Sequence, residues 1–368
     1  MRRIRIYSIK YATIGILLFG AVTFGAAEHS KVRHFRMGFT GFPSDITLEA
    51  VMEARNFSKH NADILAHHIE GVPWAESLHG KPFSKEMMDE WSGKKKAMPD
   101  GGKVYLAVSP GRGELKVADK GLPLPKELKG KGYNHPQVKR AFLNYCRRAM
   151  EFFGPDYLGI GIEVNEIYQK GADKWRAYAE LHRYVYDELK KDDAKIPIFA
   201  SFTLHGMLNA KGAAREKMAG AFEEIMPQND LVAVSFYPFI AGGTTEINKS
   251  LKWMTDRFDK YGKRYAVVET GEAAERLKFP GTGQVVSGTE GKQAAYYREL
   301  LATAERRRFE FVISFLHRDY DAMWEKIKSF SPEVFMAWRD CGLVDEAGKK
   351  RESYHVWKKY FDMRFEDR

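Results

Sequence analysis

The sequence predicts a single (β/α)8 TIM barrel, on three observations. Eight short β-rich runs recur along the chain, stretches of helical periodicity separate them, and the runs are near-continuously apolar instead of alternating. Strands read that way when both faces are buried, as in a parallel sheet with helices outside and a packed core within. Closure into a barrel is the natural solution for eight such units, giving one domain over residues 28–368 behind a leader over residues 1–27. An open doubly wound sheet would carry a Gly-rich phosphate fingerprint after the first run, but Gly38-Phe39-Thr40-Gly41-Phe42 leads to Pro43.

The leader opens with Arg2, Arg3, Arg5 and Lys10, continues through the apolar run Tyr11 to Phe24, and ends on Gly25-Ala26-Ala27 before Glu28. That is the three-part layout of a secretory signal peptide, with cleavage expected after Ala27. The apolar run is short for a membrane span, which needs about 20 residues, so no stable membrane insertion is expected after cleavage. Without its four basic residues the net charge falls from +10 to +6. The remaining positive charge sits in short clusters such as Lys94-Lys95-Lys96 and Arg306-Arg307-Arg308, which read as solvated surface. Export and the lack of a basic-aromatic module argue against a nucleic-acid partner. A secreted or periplasmic location follows.

The runs are His34 to Thr40, Ala62 to His68, Lys103 to Val108, Tyr157 to Glu163, Pro197 to Phe202, Leu231 to Tyr237, Arg264 to Glu269 and Phe309 to Leu316. Val138, Ala141, Phe142, Tyr145, Ala149, Phe152 and Phe153 mark one buried helix face. Trp175, Tyr178, Leu181, Val185 and Leu189 mark another. The Gly/Pro/Lys-rich stretch Ser109 to Pro136 after the third run would wall the barrel mouth or form a surface insertion. Cys146 and Cys341 are the only cysteines, so a disulfide scaffold is excluded and their pairing stays open.

In a barrel the strands' C-terminal ends build the site, so chemistry is sought there. The fourth run leads through Glu163-Val164-Asn165-Glu166 and the seventh stops on Glu269-Thr270-Gly271. A carboxylate at the end of a buried strand is expensive unless paired or used. Singly, each would be read as a partner for a lysine or arginine. Together they sit on strands that face one another across the mouth, which is what glycoside hydrolysis requires of its two carboxyl groups. Glu163 would reach the mouth if its strand ended earlier, whereas the asparagine immediately before Glu166 favours Glu166. Glu272 reads as a loop charge.

Asn165-Glu166 and Glu269 resemble the paired signature of clan A glycoside hydrolases, from about Phe35 to Trp357. Within the clan, Val164-Asn165-Glu166-Ile167, Glu269-Thr270 and Ser235-Phe236-Tyr237-Pro238 look most like the arabinogalactan endo-β-1,4-galactanases. The resemblance implies Glu166 as acid/base, Glu269 as nucleophile, Asn165 on the sugar hydroxyl beside the reacting carbon, Tyr237 on the nucleophile, and retention of configuration. Valine replaces the family's glycine before Asn165, and no calcium-loop pattern is present.

Trp74, His205, His317 and Trp324 fall just after expected strands and complete the candidate substrate-binding set, with Trp74 and Trp324 as stacking faces. Asp45 and Asp319 are weaker candidates for sugar hydroxyls. His67-His68 with Glu70 imitates a metal cluster, but adjacent residues on a strand point to opposite faces. No metal or cofactor is expected, and neither Ser109 nor Ser235 lies in a nucleophile elbow. The sequence-level expectation is an exported retaining hydrolase of a β-linked polysaccharide or oligosaccharide. The alternative is a barrel that binds glycans without cutting them.

Overall fold

The computed structural model describes residues 32–97, 101–118, 124–241 and 247–367. The expected leader lies outside the described residues. Eight parallel strands form the barrel: β1 (Arg36–Phe39), β2 (Ile64–Glu70), β3 (Lys103–Ser109), β4 (Tyr157–Gly159), β5 (Ile198–Phe199 and Ser201–Thr203), β6 (Leu231–Phe236), β7 (Arg264–Thr270) and β8 (Phe311–Ser314). The sheet closes at β5, which is broken at Ala200: its first half pairs with β4 and its second with β6. Every expected run overlaps one barrel strand.

The apolar continuity of the runs has the predicted cause. Along the strands Ile64, Ala66, Tyr105, Phe199, Ala266 and Phe311 fill the barrel interior. Their neighbours Leu65, Leu106, Val232, Val267 and Val312 pack outward against the helices. Burial on either face contributes roughly 1.5–3 kcal/mol for each large aliphatic side chain.

The helix Pro136–Phe153 shows how the sequence sets an element's limits. Pro136 occupies the first turn, where its missing N–H costs nothing, and the His135 side chain accepts the Gln137 N–H. Gly154 ends it in the left-handed conformation at φ 58°, donating to the Met150 carbonyl. The expected face is buried, except that Phe152 is only partly covered. In the helix Ala172–Asp192, Trp175, Tyr178, Leu181, Val185 and Leu189 are all buried.

Two departures from regular strands position the site. β4 stops at Gly159, four residues before the end of its expected run. The apolar pattern persists beyond it, but the chain bends, and Glu163 takes the left-handed region at φ 54°. In β7 an extra residue sits at Val268: Val234 and Ser235 of β6 face Val267 and Glu269, and Val312 and Ser314 of β8 face Val267 and Thr270. A bulge of this kind re-aims the side chains that follow it. Strict alternation from the inward Ala266 would send Glu269 out to the helices, and the extra residue turns it into the mouth.

Both cysteines are buried free thiols. No helix among the described residues is long and apolar enough to cross a membrane. At the barrel's N-terminal face, Val32–Arg33 pairs in parallel with Arg364–Phe365, and the buried Arg33 guanidinium lies 2.7 Å from Asp63.

Candidate active site

Glu269 is buried at the end of β7 and is held from two sides. The Tyr237 hydroxyl, just past β6, donates to Glu269 Oε1 at 2.5 Å. Tyr237 is itself fixed by its backbone N–H, which donates to His205 Nδ1 at 3.2 Å. Burial pushes His205 down to about 4, so the ring is neutral and its nitrogen is free to accept. His68 Nδ1 lies 3.5 Å from Glu269 Oε2, and burial pushes this ring down to about 4 as well. Its neighbour His67 points outward and packs on Phe153, so the two histidines do take opposite faces of β2.

Glu163, in the bend after β4, lies close enough for its charge to act on Glu269. It is 8% exposed, and its backbone N–H donates to Ser201 Oγ at 3.1 Å. A left-handed conformation at a residue other than glycine costs about 1–2 kcal/mol and is commonly retained where function needs it. Burial raises the proton affinity of both carboxyls, and the charge of Glu163 raises that of Glu269 further. Two buried carboxyls so coupled hold one proton between them over a range where isolated carboxylates are ionised.

Glu166 stands apart from this pair, with its side chain 35% exposed on the short helix Asn165–Gln169. Arg112 bridges it to Glu163: its Nη1 lies 2.7 Å from Glu163 Oε2 and 3.1 Å from Glu166 Oε2. Asn165 is buried, and its amide closes on β5: Oδ1 accepts the Thr203 N–H and Nδ2 donates to Thr203 Oγ1, both at 2.8 Å. Those bonds anchor the short helix against β5.

The remaining sequence candidates divide. Tyr237 and His205 reach the site. Trp74 does not offer a stacking face: it is 1% exposed, and its indole N–H donates to the Lys116 carbonyl. An indole just after a strand is equally suited to pinning the neighbouring loop, and here it does so. His317 is buried behind the barrel wall against Phe57, because the strand phase at the end of β8 turns it toward the helix Leu48–Asn61. Trp324 is half-buried against the cluster that contains Tyr237. Asp45 pairs with Lys326, and Asp319 is buried against Arg351 at 2.5 Å.

Sequence reasoning missed Arg112 and Trp338, and named Glu70 only beside His67-His68. Arg112 lies in the Gly-rich stretch after β3, where no periodicity indicates direction. Trp338, in the 3-10 turn Glu333–Trp338, has ring centroids 5.8 Å from Tyr237, 5.7 Å from Phe315 and 5.5 Å from Phe335. Phe315 in turn contacts Phe42, so an aromatic wall runs from Tyr237 to the half-exposed Phe335. Asp319, Asp321 and Asp340 converge closely enough to hold a cation, but arginines already neutralise two of them, Arg351 on Asp319 and Arg339 on Asp340.

No family model matches the chain. It is 22% identical to the uncharacterized protein in bgaB 5'region of Niallia circulans, over 61% of this chain and 66% of that protein, just under two thirds of its length. Among solved structures, a GH5_18 protein of Bifidobacterium longum in complex with Manb1-4GlcNAc is similar at a TM-score of 0.62 and 12% identity, over 89% of this chain and 78% of that one. Fungal β-1,4-galactanase gives 0.54 at 16% identity, over 88% and 94%. The chain shares their barrel fold. Xylanase 10B of Thermotoga petrophila in complex with xylobiose gives 0.57 at 12% identity, over 89% and 94%.

Proposed function

We propose that this protein is an exported retaining glycoside hydrolase that cuts a β-linked polysaccharide or oligosaccharide, with Glu269 as nucleophile and Glu163 as acid/base. The observation that carries the reading is a buried, electrostatically coupled carboxyl pair at the mouth of the barrel, one member bonded by Tyr237. The structural neighbours named for galactan, xylan and mannoside chemistry share this fold and support the substrate class. Export rests on the leader's composition.

The division of labour follows from the partners. Tyr237 donates to Glu269 Oε1, which favours its ionised form, and the proposed reaction begins with Glu269 ionised and the proton on Glu163. The Glu269 carboxylate bonds to the anomeric carbon as the bond to the leaving oxygen breaks, and Glu163 gives that oxygen its proton. Glu163 then takes a proton from water as the water oxygen displaces Glu269 from the same carbon, restoring both groups. The family resemblance assigns the acid role to Glu166; its exposure and its place on the far side of Arg112 favour Glu163 instead.

Product release from a panel of β-glycans at mildly acidic pH tests this for wild type, Glu163→Ala, Glu166→Ala and Glu269→Ala. One glycan should be cut, with turnover falling by roughly 10⁴-fold in the Glu163 and Glu269 variants and far less in the Glu166 variant. A wild type that binds a glycan and releases nothing would establish the non-cutting barrel. An inactive Glu166 variant beside an active Glu163 variant would return the acid role to Glu166.

A further inference from the structure

The first two strands of the barrel separate early. β1 pairs with β2 only at Gly38 with Ile64 and Phe39 with Leu65, whereas β2 goes on pairing with β3 as far as Glu70 with Ser109. Beyond that point lies a cavity of about 300 Å³. The loop after β1 bounds it with Thr40 and Phe42, β2 with Leu65 and His67, and the helices Leu48–Asn61 and Lys85–Lys95 close the outer side. His68, whose Nδ1 is 3.5 Å from Glu269 Oε2, also lines it, and Phe42 touches both His68 and Phe315. The cavity therefore sits beside the mouth, one side chain away from Glu269.

Two polar atoms on residues of its lining have no hydrogen-bond partner among the described residues: Ser58 Oγ, on a residue 1% exposed, and His67 Nε2, on one 5% exposed. Buried polar atoms are costly unless something bonds them. Both groups are neutral, since burial, with the Lys94 charge behind it, pushes His67 down to about 3. The charged side chains of the lining are already engaged: Lys94 Nζ lies 2.9 Å from Glu90 Oε1, and Arg55 Nη2 donates to the Gly93 carbonyl at 2.8 Å. Phe42, Val51, Ala54 and Leu65 make the rest apolar. A ligand matched to this lining is uncharged, carries hydroxyls on one edge, turns an apolar face to the other side and fits a space at the small end of ligand pockets. A single sugar ring meets each condition.

We propose that this cavity is a second carbohydrate site that takes one neutral sugar ring on Ser58 and His67, supplied as a branch of the glycan in the cleft or as a free sugar. The sugar class rests on the hydrolase reading. The site itself rests on the cavity and its two buried polar atoms.

Gly93 provides the means of closing it. It lies within the helix Lys85–Lys95, and a Cβ there would meet nothing closer than Arg55 Nη2 at 3.5 Å, so a larger side chain enters beside the lining without a clash at its base. Histidine labelled with ¹⁵N is followed by NMR in wild type, Gly93→Leu and Ser58→Ala, with the His67 signal identified by its loss in His67→Leu. The probes are the methyl glycosides of galactose, arabinose, xylose and mannose, with galacturonic acid as the charged control. At least one neutral glycoside should shift the His67 Nε2 signal of wild type, and Gly93→Leu should abolish that shift. Ser58→Ala, which changes little volume and serves even if Gly93→Leu misfolds, should weaken binding roughly 2- to 10-fold. A His67 signal that no sugar moves, or that galacturonic acid alone moves, would overturn the proposal.

The source of the ring is read from turnover. If it is a branch, the ratio of kcat/KM on a branched glycan to that on its debranched form should fall about tenfold in Gly93→Leu. An unchanged ratio beside a His67 shift assigns the site to a free sugar. If wild type cuts nothing, the hydrolase reading falls, while the His67 signal still decides whether the cavity takes a sugar.

Discussion

The Tyr237 hydroxyl gives Glu269 a donor on which its proposed role depends. Replacing Tyr237 with phenylalanine removes the donor from Glu269 Oε1 and leaves the ring's packing against Trp338 intact. The ionised form of Glu269 loses its partner, so its pKa rises and the acid limb of the kcat/KM profile should move to higher pH. A hydrogen bond to a charged group contributes about 1.5–3 kcal/mol, so activity should fall roughly 10- to 150-fold. A profile lowered without movement of that limb would show that Tyr237 only packs. At this scale Glu269 was legible in the sequence because an apolar run stops on it. The relative placement of Glu163 and Glu166 was not: alternation carries no information through a residue at φ 54°, and the Asn165 amide bonds Thr203 of β5. Arg112 was invisible for a related reason, since a Gly-rich loop can aim a long side chain anywhere.

Elements were read more reliably than residues because burial on two faces leaves a strong signal. All eight strands were foreseen, and their ends were the weak point. The early stop of β4 is marked by Gly159 and Gly161 within an otherwise apolar run, whereas the extra residue in β7 at Val268 has no such marker. The closing helix Glu352–Phe361 gives an energetic test of how the helical layer seals the barrel. Its Trp357 is fully buried, lies 4.9 Å from the Phe39 ring of β1 and donates to the Asn61 carbonyl at the end of the first helix. Trp357→Ala should lower unfolding free energy by about 3–5 kcal/mol in urea denaturation, with the mouth residues untouched. A change below about 1 kcal/mol would mean that the helix is a surface cover and not part of the core.

Across the whole molecule one buried cation ties the last segment to the barrel's upper rim. Arg351 is 2% exposed and meets Asp319 at 2.5 Å, Glu275 at 2.7 Å and Glu290 at 3.3 Å. Those carboxylates belong to the loop after β8, the loop after β7 and the helix Glu290–Arg306. Arg351→Met would strand the Asp319 charge in the interior, and breaking a buried pair in this way costs about 3–5 kcal/mol. Adding Asp319→Asn should recover much of that loss in the same denaturation assay; two independent, additive losses would deny the coupling. A different property follows from the pairing of Val32–Arg33 with Arg364–Phe365 beneath the barrel. The two strands run parallel side by side on the face away from Glu163 and Glu269, so a short linker could join residues 365 and 32 into a ring. Reopened at the exposed turn around Ala194, such a circular permutant would keep every barrel neighbour, and a support attached through that linker would hold the cleft facing outward.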